Sequence, residues 1–228
     1  QVRHGQVPEN AVEKGSDFAF LHREEPEDIA KLVVRLVREE IPRRLGLDPV
    51  RDIQVLAPMH RGSLGIRELN VALQAALNPP RSDRPEVERF GTIFRLGDKV
   101  LQTRNNYDKE VFNGDIGRIA GMAVEEREVR IDFDGRPALY QFNELDEVEP
   151  AYAISIHKSQ GSEFPAVVIP LAMQHFLLLQ RNLLYTGITR GKQLVVVAGQ
   201  RKALATAVRQ NEMRKRFGGL LARLKESS

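Results

Sequence analysis

Apolar residues recur along this chain in two different rhythms, and the change between them divides it. Asp17 to Leu21 is an apolar run of strand length. After Pro26, residues Ile29, Leu32, Val33, Leu36 and Val37 fall at helical spacing, with Glu27 and Asp28 in the first turn, where the helix dipole favours anions. Ile53 to Ala57 predicts a second buried strand, closed by Pro58. Ser63 is the expected cap of a helix whose Ile66, Leu69, Leu73 and Leu77 share one face and which Asn78-Pro79-Pro80 ends. That is the β-α-β-α order of a parallel sheet with crossover helices. Residues 80–92 are polar and proline-containing and predict a loop.

Beyond it the period becomes two. Val100 and Leu101 begin a strand, Asn113-Gly114-Asp115 is turn chemistry, and Val129, Ile131 and Phe133 alternate with polar residues. Asp134-Gly135 then turns the chain into Ala138 to Phe142, the pattern of an antiparallel hairpin. After Pro150 the first rhythm returns, with strands predicted at Tyr152 to Ile156, Val167 to Pro170 and Leu194 to Ala198. Helices are predicted at Met173 to Leu184 and Arg201 to Arg216. The expected organisation is an α/β domain over 1–96 and 150–228, interrupted by a small β-barrel over 97–149.

Composition narrows the chemistry. Of the 228 residues 42% are apolar, enough for a sizeable core, and no run approaches the roughly 18 apolar residues of a membrane-spanning helix. With no cysteine, disulfides, thiolate metal sites and cysteine nucleophiles are excluded, and a reducing, cytoplasmic setting is expected. The net charge of +3 is too small to name a partner. Its distribution says more: 181–225 carries eleven Lys or Arg against one acid, whereas 125–149 leans acidic.

Four polar clusters are candidates for chemistry. Ser155-Ile156-His157-Lys158-Ser159-Gln160-Gly161-Ser162-Glu163-Phe164 follows a strand, where backbone N–H groups and side-chain donors can meet phosphate and Glu163 can accept from sugar hydroxyls. An ordinary hydrophilic loop with a capping serine fits it equally well. In Leu184 to Lys192, Thr189-Arg190 between Gly187 and Gly191 suggests an arginine able to reach phosphate bidentately, or else a surface arginine in a weak ion pair. Gln102 to Asp108, with Asn105, Asn106 and Tyr107, suits either a nucleic-acid backbone or a β-turn cluster. Ala57 to Gly65, with His60 and Arg61 before a helix, can seat a phosphate or form a capped loop. No Gly-x-x-x-x-Gly-Lys-[Ser/Thr] occurs, so no β/γ-phosphate cradle is encoded, and no metal site is expected.

In order, these segments resemble superfamily-1 DNA helicases of the RecD type, the exodeoxyribonuclease V alpha-subunit family. Residues 156–164 look like that family's motif V, 184–191 like motif VI, and 55–70 like its motif IV region; 97–117 resemble the RecD-type entry into an inserted β module. The resemblance implies the second RecA-like motor domain (2A) with an SH3-like β-barrel (2B) set into it. The first motor domain (1A), with its Walker lysine and Mg²⁺ ligand, is then expected upstream of Gln1, and the chain alone is expected not to hydrolyse ATP.

By the same resemblance, Arg190 is the arginine finger toward the γ-phosphate of ATP, and Gln160, Gly161 and Glu163 meet the ribose and couple it to DNA. Ser155, His157 and Lys158 touch phosphates of single-stranded DNA, with Arg61, Asn105 and Asn106 as further DNA contacts. Implied partners are single-stranded DNA, domain 1A and, where the protein does not act alone, a RecBC-type complex, for 5′-to-3′ unwinding in recombination and repair. A conjugative relaxase-helicase shares motifs V and VI, and a non-motor nucleic-acid or partner-binding module is the remaining alternative.

Overall fold

The structure, a computed structural model, describes residues 17–210. In chain order the strands are β1 (Phe18–His22), β2 (Ile53–Ala57), β3 (Glu86–Arg89), β4 (Thr92–Arg95), β5 (Lys99–Gln102), β6 (Ile116–Ala123), β7 (Glu128–Phe133), β8 (Arg136–Gln141), β9 (Val148–Pro150), β10 (Ala153–Ser155), β11 (Phe164–Leu171) and β12 (Gly191–Gly199). The helices are α1 (Pro26–Arg35), α2 (Ile41–Leu45), α3 (Ile66–Leu77), α4 (Arg181–Ile188) and α5 (Arg201–Arg209); a π turn, Leu36–Glu40, joins α1 to α2.

Five strands form a wholly parallel sheet in the order β1-β12-β11-β2-β10. Both faces are covered, so its central strands are apolar at successive positions rather than alternate ones. Val55, Val168 and Val196 face the core under α1 and α3, while Leu56, Val167, Ile169, Val195 and Val197 face the one under α4 and α5. Strand alternation thus lets one short run feed two cores. At the β10 edge, Asn70 of α3 stands in for a missing strand: its amide donates to Ala153 O at 2.8 Å and accepts from Ala153 N at 2.9 Å. No helix among the described residues is long and apolar enough to cross a membrane.

The second body is an antiparallel sheet in the order β8-β7-β6-β5-β9, built on Val100, Ile119, Val129, Ile131, Phe133 and Tyr140. Asp134 and Gly135, both at positive φ (55° and 85°), form the expected two-residue turn between β7 and β8. This is the small β module inserted in an α/β domain that the two rhythms predict. Its cluster also takes in Val87 and Phe94, upstream of residue 97.

Two buried charges seal the junction between the bodies. The Asp98 carboxylate is 1% exposed and accepts from Gln74 Nε2 (2.6 Å), Asn78 Nδ2 (2.7 Å), Tyr152 Oη (2.8 Å) and Arg95 N (2.7 Å). Burial pushes its carboxyl above the usual range, against those hydrogen bonds. Beside it, Lys99 reaches out of the module to donate to Ile53 O at 3.3 Å and lies 5.7 Å from the Phe164 ring centre. Burial lowers the Lys99 ammonium to about 8, with Asp52 and Asp48 opposing that shift.

Several local expectations need correction. The run at 80–92 contains β3 and the start of β4, joined through Phe90-Gly91; charged residues on the exposed side mask its alternation. Ser63 caps nothing: Gly65 occupies the N-cap of α3, and Ser63 Oγ donates instead to Gln174 Oε1 at 3.4 Å. Met173 to Leu184 is not one helix. A 3-10 turn, Met173–Leu178, precedes α4; His175 Nδ1 accepts from Ala172 N to tighten that turn, and buried Leu179 interrupts it. In β1 only Phe20 is buried. The basic helix ends at Arg209, with 211–216 outside the described residues.

Candidate functional site

The polar turn after β10 and the end of α4 are far apart in sequence and joined in space. β11 and β12 are parallel neighbours, so the segments that enter them, 156–163 and 181–190, arrive side by side. At Phe164 the two backbones bond, Phe164 N donating to Arg190 O at 2.8 Å. The half-buried Arg190 guanidinium completes the clasp. Its Nη1 donates to Ser162 O (3.1 Å), its Nε to Thr186 O (3.2 Å) and its Nη2 to Thr189 Oγ1 (3.2 Å). These are neutral acceptors, so no carboxylate among the described residues competes for its charge, and the fork keeps further N–H donors for an anion.

Around it the turn is ordered by its own hydrogen bonds. Ser155 is buried, and its Oγ accepts from Lys158 N at 3.1 Å, while Ser159 Oγ donates to Ile156 O at 2.7 Å. Gly161 sits at φ +86°, and a Cβ there would meet nothing within 4 Å, so backbone conformation alone calls for glycine. Glu163 is exposed and ion-paired through Oε2 to Lys192 Nζ at 3.2 Å. A pocket of about 110 Å³ opens between the turn and α4, lined by His157, Gln160, Gln180, Asn182 and Thr186 among others. It is too shallow to enclose a nucleotide and suits a half-site that another surface completes.

Lys158 points away from this pocket, toward the β module, where Nζ pairs with Glu149 Oε1 at 2.5 Å. Glu149 also lines a cleft of about 580 Å³ between α3, the β3–β4 hairpin and β9. His60 and Arg61 stand at its rim, both exposed, and no described residue engages the Arg61 side chain. Asn105 and Asn106 lie elsewhere, in the loop between β5 and β6, with their amides engaged. Asn105 Oδ1 accepts from Asn113 N (2.9 Å), and Asn106 bonds Glu147 Oε2 (3.0 Å) and Lys109 N (3.2 Å). The sequence candidates therefore fall into three places: the Arg190 clasp with Gln160, Gly161 and Glu163; the Lys158–Glu149 pair near Arg61; and the loop at 105–106. Arg67, Phe90 and Glu149 escape the sequence reading. Helical spacing puts Arg67 on the polar face, and the alternation of Val87 and Phe94 about a glycine is the one signal for Phe90.

Comparison with known proteins finds two family models in the chain. Residues 69–133 match the model of the ATP-dependent RecD-like DNA helicase SH3 domain, and residues 150–198 match that of the UvrD-like helicase C-terminal domain. The chain is 35% identical over 215 residues to the ATP-dependent RecD2 DNA helicase of Deinococcus radiodurans, covering 94% of this chain and 28% of that protein. It is 31% identical over 162 residues to the RecBCD enzyme subunit RecD of Haemophilus influenzae, covering 71% and 24%. It thus spans about a quarter of the length of these relatives. A solved Pif1 helicase from Bacteroides, in complex with ADP-AlF3 and single-stranded DNA, has the same fold: TM-score 0.50, 15% identity, 89% of this chain and 54% of that one. These matches favour neither a relaxase-helicase nor a non-motor module. The chain belongs to the RecD-like DNA helicase family, and it carries both that family's SH3 domain and a UvrD-like C-terminal helicase domain.

Proposed function

We propose that this chain is the second motor domain of a 5′-to-3′ DNA helicase, supplying an arginine finger to ATP held mainly by a P-loop domain. The observation that carries the reading is the Arg190 clasp, in which one guanidinium ties the end of α4 to the 156–163 turn. A group so held is positioned before nucleotide arrives, which is how a finger stabilises charge without reorganising. Bound ATP with Mg²⁺ supplies the hydrolysis, with the metal ligands assigned to the P-loop domain. Here Gln160, in the lining of the pocket beside α4, would donate to or accept from the ribose hydroxyls, and the free oxygen of Glu163 would accept from them. Both side chains suit that role, since Glu163 is exposed and only its other oxygen is paired.

Because Ser162 and Lys158 belong to one turn, a shift at Arg190 is felt at Lys158, the phosphate contact proposed for single-stranded DNA together with Arg61. Ser155, expected as a further contact, is buried and instead supports the turn through its bond from Lys158 N, and His157 lines the pocket beside α4. For Asn105 and Asn106 the loop's own hydrogen bonds support a turn-forming role. Pairing with domain 1A, membership of a RecBC-type complex and a cytoplasmic setting accord with the family and with the absence of cysteine. The test is Arg190→Ala in a polypeptide that also carries the P-loop domain. DNA-stimulated ATPase should fall about 10³- to 10⁵-fold, the range for arginine fingers, with the circular dichroism spectrum unchanged. Turnover within a few-fold of the parent would reduce Arg190 to a structural clasp.

A further inference from the structure

The β3–β4 hairpin carries an aromatic ring where turn chemistry disfavours one. Arg89 pairs with Thr92, leaving Phe90 and Gly91 as a two-residue turn with both residues at positive φ (51° and 71°). The molecule has an internal control in the β7–β8 hairpin, whose two-residue turn with two positive φ values is Asp134-Gly135. Asp and Asn tolerate that left-handed first position; a bulky residue there is strained. Phe90 gains no burial in return, being 66% exposed, and it makes no ring contact with another described residue. Strain that packing does not offset points to use.

The ring stands over the 580 Å³ cleft between α3 and the hairpin. The charges there are unevenly spent. Arg95 is bound by Glu86 at 2.7 Å, and Glu149 by Lys158. Arg61 and Arg67, exposed on the α3 side, have no partner among the described residues, and His60 beside them is exposed. Two uncommitted guanidiniums along one wall and a solvent-facing ring on the other match a strand with charged phosphates on one edge and bases on the other. Duplex DNA hides its base faces and leaves the ring nothing to stack on.

We infer that this cleft seats single-stranded DNA, with Arg61 and Arg67 on consecutive phosphates and Phe90 as a stacking platform for one base. The inference deepens the strand-binding part of the function proposed above. It assigns base contact to a hairpin outside the helicase motifs. Glu149 sits at the cleft's end as a competitor, so a strand entering there contends with it for Lys158.

Fluorescence anisotropy of the full chain with labelled oligo(dT), intact or abasic, tests this. Phe90→Asn installs the residue the turn prefers, so its thermal midpoint should hold or rise while affinity for intact oligo(dT) drops about tenfold. On the abasic strand the parent should already bind that much more weakly, and Phe90→Asn should change nothing further. Phe90→Trp should retain affinity, with indole fluorescence quenched on binding. An intact-strand affinity within twofold of the parent for Phe90→Asn, or an equal loss on both strands, overturns the stacking role. If Arg61→Ala, Arg67→Ala and Lys158→Ala also leave affinity unchanged, or the parent binds no strand, the strand-binding reading fails as a whole.

Discussion

At the scale of single residues, the same side-chain type takes opposite duties according to what surrounds it. Arg190 donates only to neutral oxygens and keeps its charge available, whereas Arg95 is 11% exposed at its side chain and spent on Glu86. Arg190→Lys should therefore recover little of the ATPase lost in Arg190→Ala, since one ammonium cannot bond Ser162 O and Thr186 O while presenting a fork to phosphate. Single-turnover kinetics on both variants will separate lost chemistry from lost nucleotide binding.

His175 makes a second case. It is 1% exposed, its Nδ1 accepts from Ala172 N, and its Nε2 has no partner among the described residues; burial lowers its pKa to about 4. The unfolded chain, with an ordinary value near 6.5, binds the proton first on acidification. This contribution to stability is thus complete above about pH 6.5 and is lost progressively as pH falls toward 4, by about 3 kcal/mol. Urea unfolding of the parent and of His175→Gln across that range should give curves that converge toward acid. Parallel curves would show that His175 is not the titrating group.

At the scale of elements, the junction of sheet and module behaves as one packed unit. Leu101 of β5 belongs to the core under α4 and α5, and Asp98 gathers donors from α3 and its C-terminal end, from β4 of the hairpin and from the approach to β10. All four of its partners donate, two to each oxygen, so an amide cannot replace the carboxylate without setting its NH₂ against two donors. Asp98→Asn should cost about 3 kcal/mol or more, and Asp98→Ala a similar amount through stranded donors. Thermal unfolding should show the loss in both bodies together. Loss confined to the β module would mean that the two are joined more loosely than Asp98, Lys99 and Leu101 suggest.

At the scale of the whole molecule, binding of a strand across the cleft rests on a few cations rather than on net charge, which is only +3. Each phosphate neutralised on a single strand contributes about 0.7 to the slope of log K against log salt. Arg61→Ala, Arg67→Ala and Lys158→Ala should each flatten that slope by about 0.7 while lowering affinity at low salt. Glu149→Gln should raise affinity without changing the slope's origin in those three residues. An unchanged slope in Arg61→Ala would move the phosphate track elsewhere on the surface.

The division of labour between sequence and tertiary structure follows from the range of the forces. Short-range patterns settle what neighbours along the chain decide: the apolar runs of β2, β11 and β12, the helical stripe of α1, and the Asp134-Gly135 turn, where only residues with access to positive φ serve. Motif spacing likewise marks Arg190, Gly161 and Glu163 as a polar set. Folding alone decided that the Arg190 fork would close on Ser162, 28 positions away, because that depends on β11 and β12 lying parallel. It also turned Lys158 toward Glu149, spent the Asn106 amide on Glu147, 41 positions away, and buried Asp98 and Lys99 where two bodies meet. Charge and polarity at those positions read locally as surface, since nothing in a linear pattern records which distant donors will arrive to satisfy a buried group.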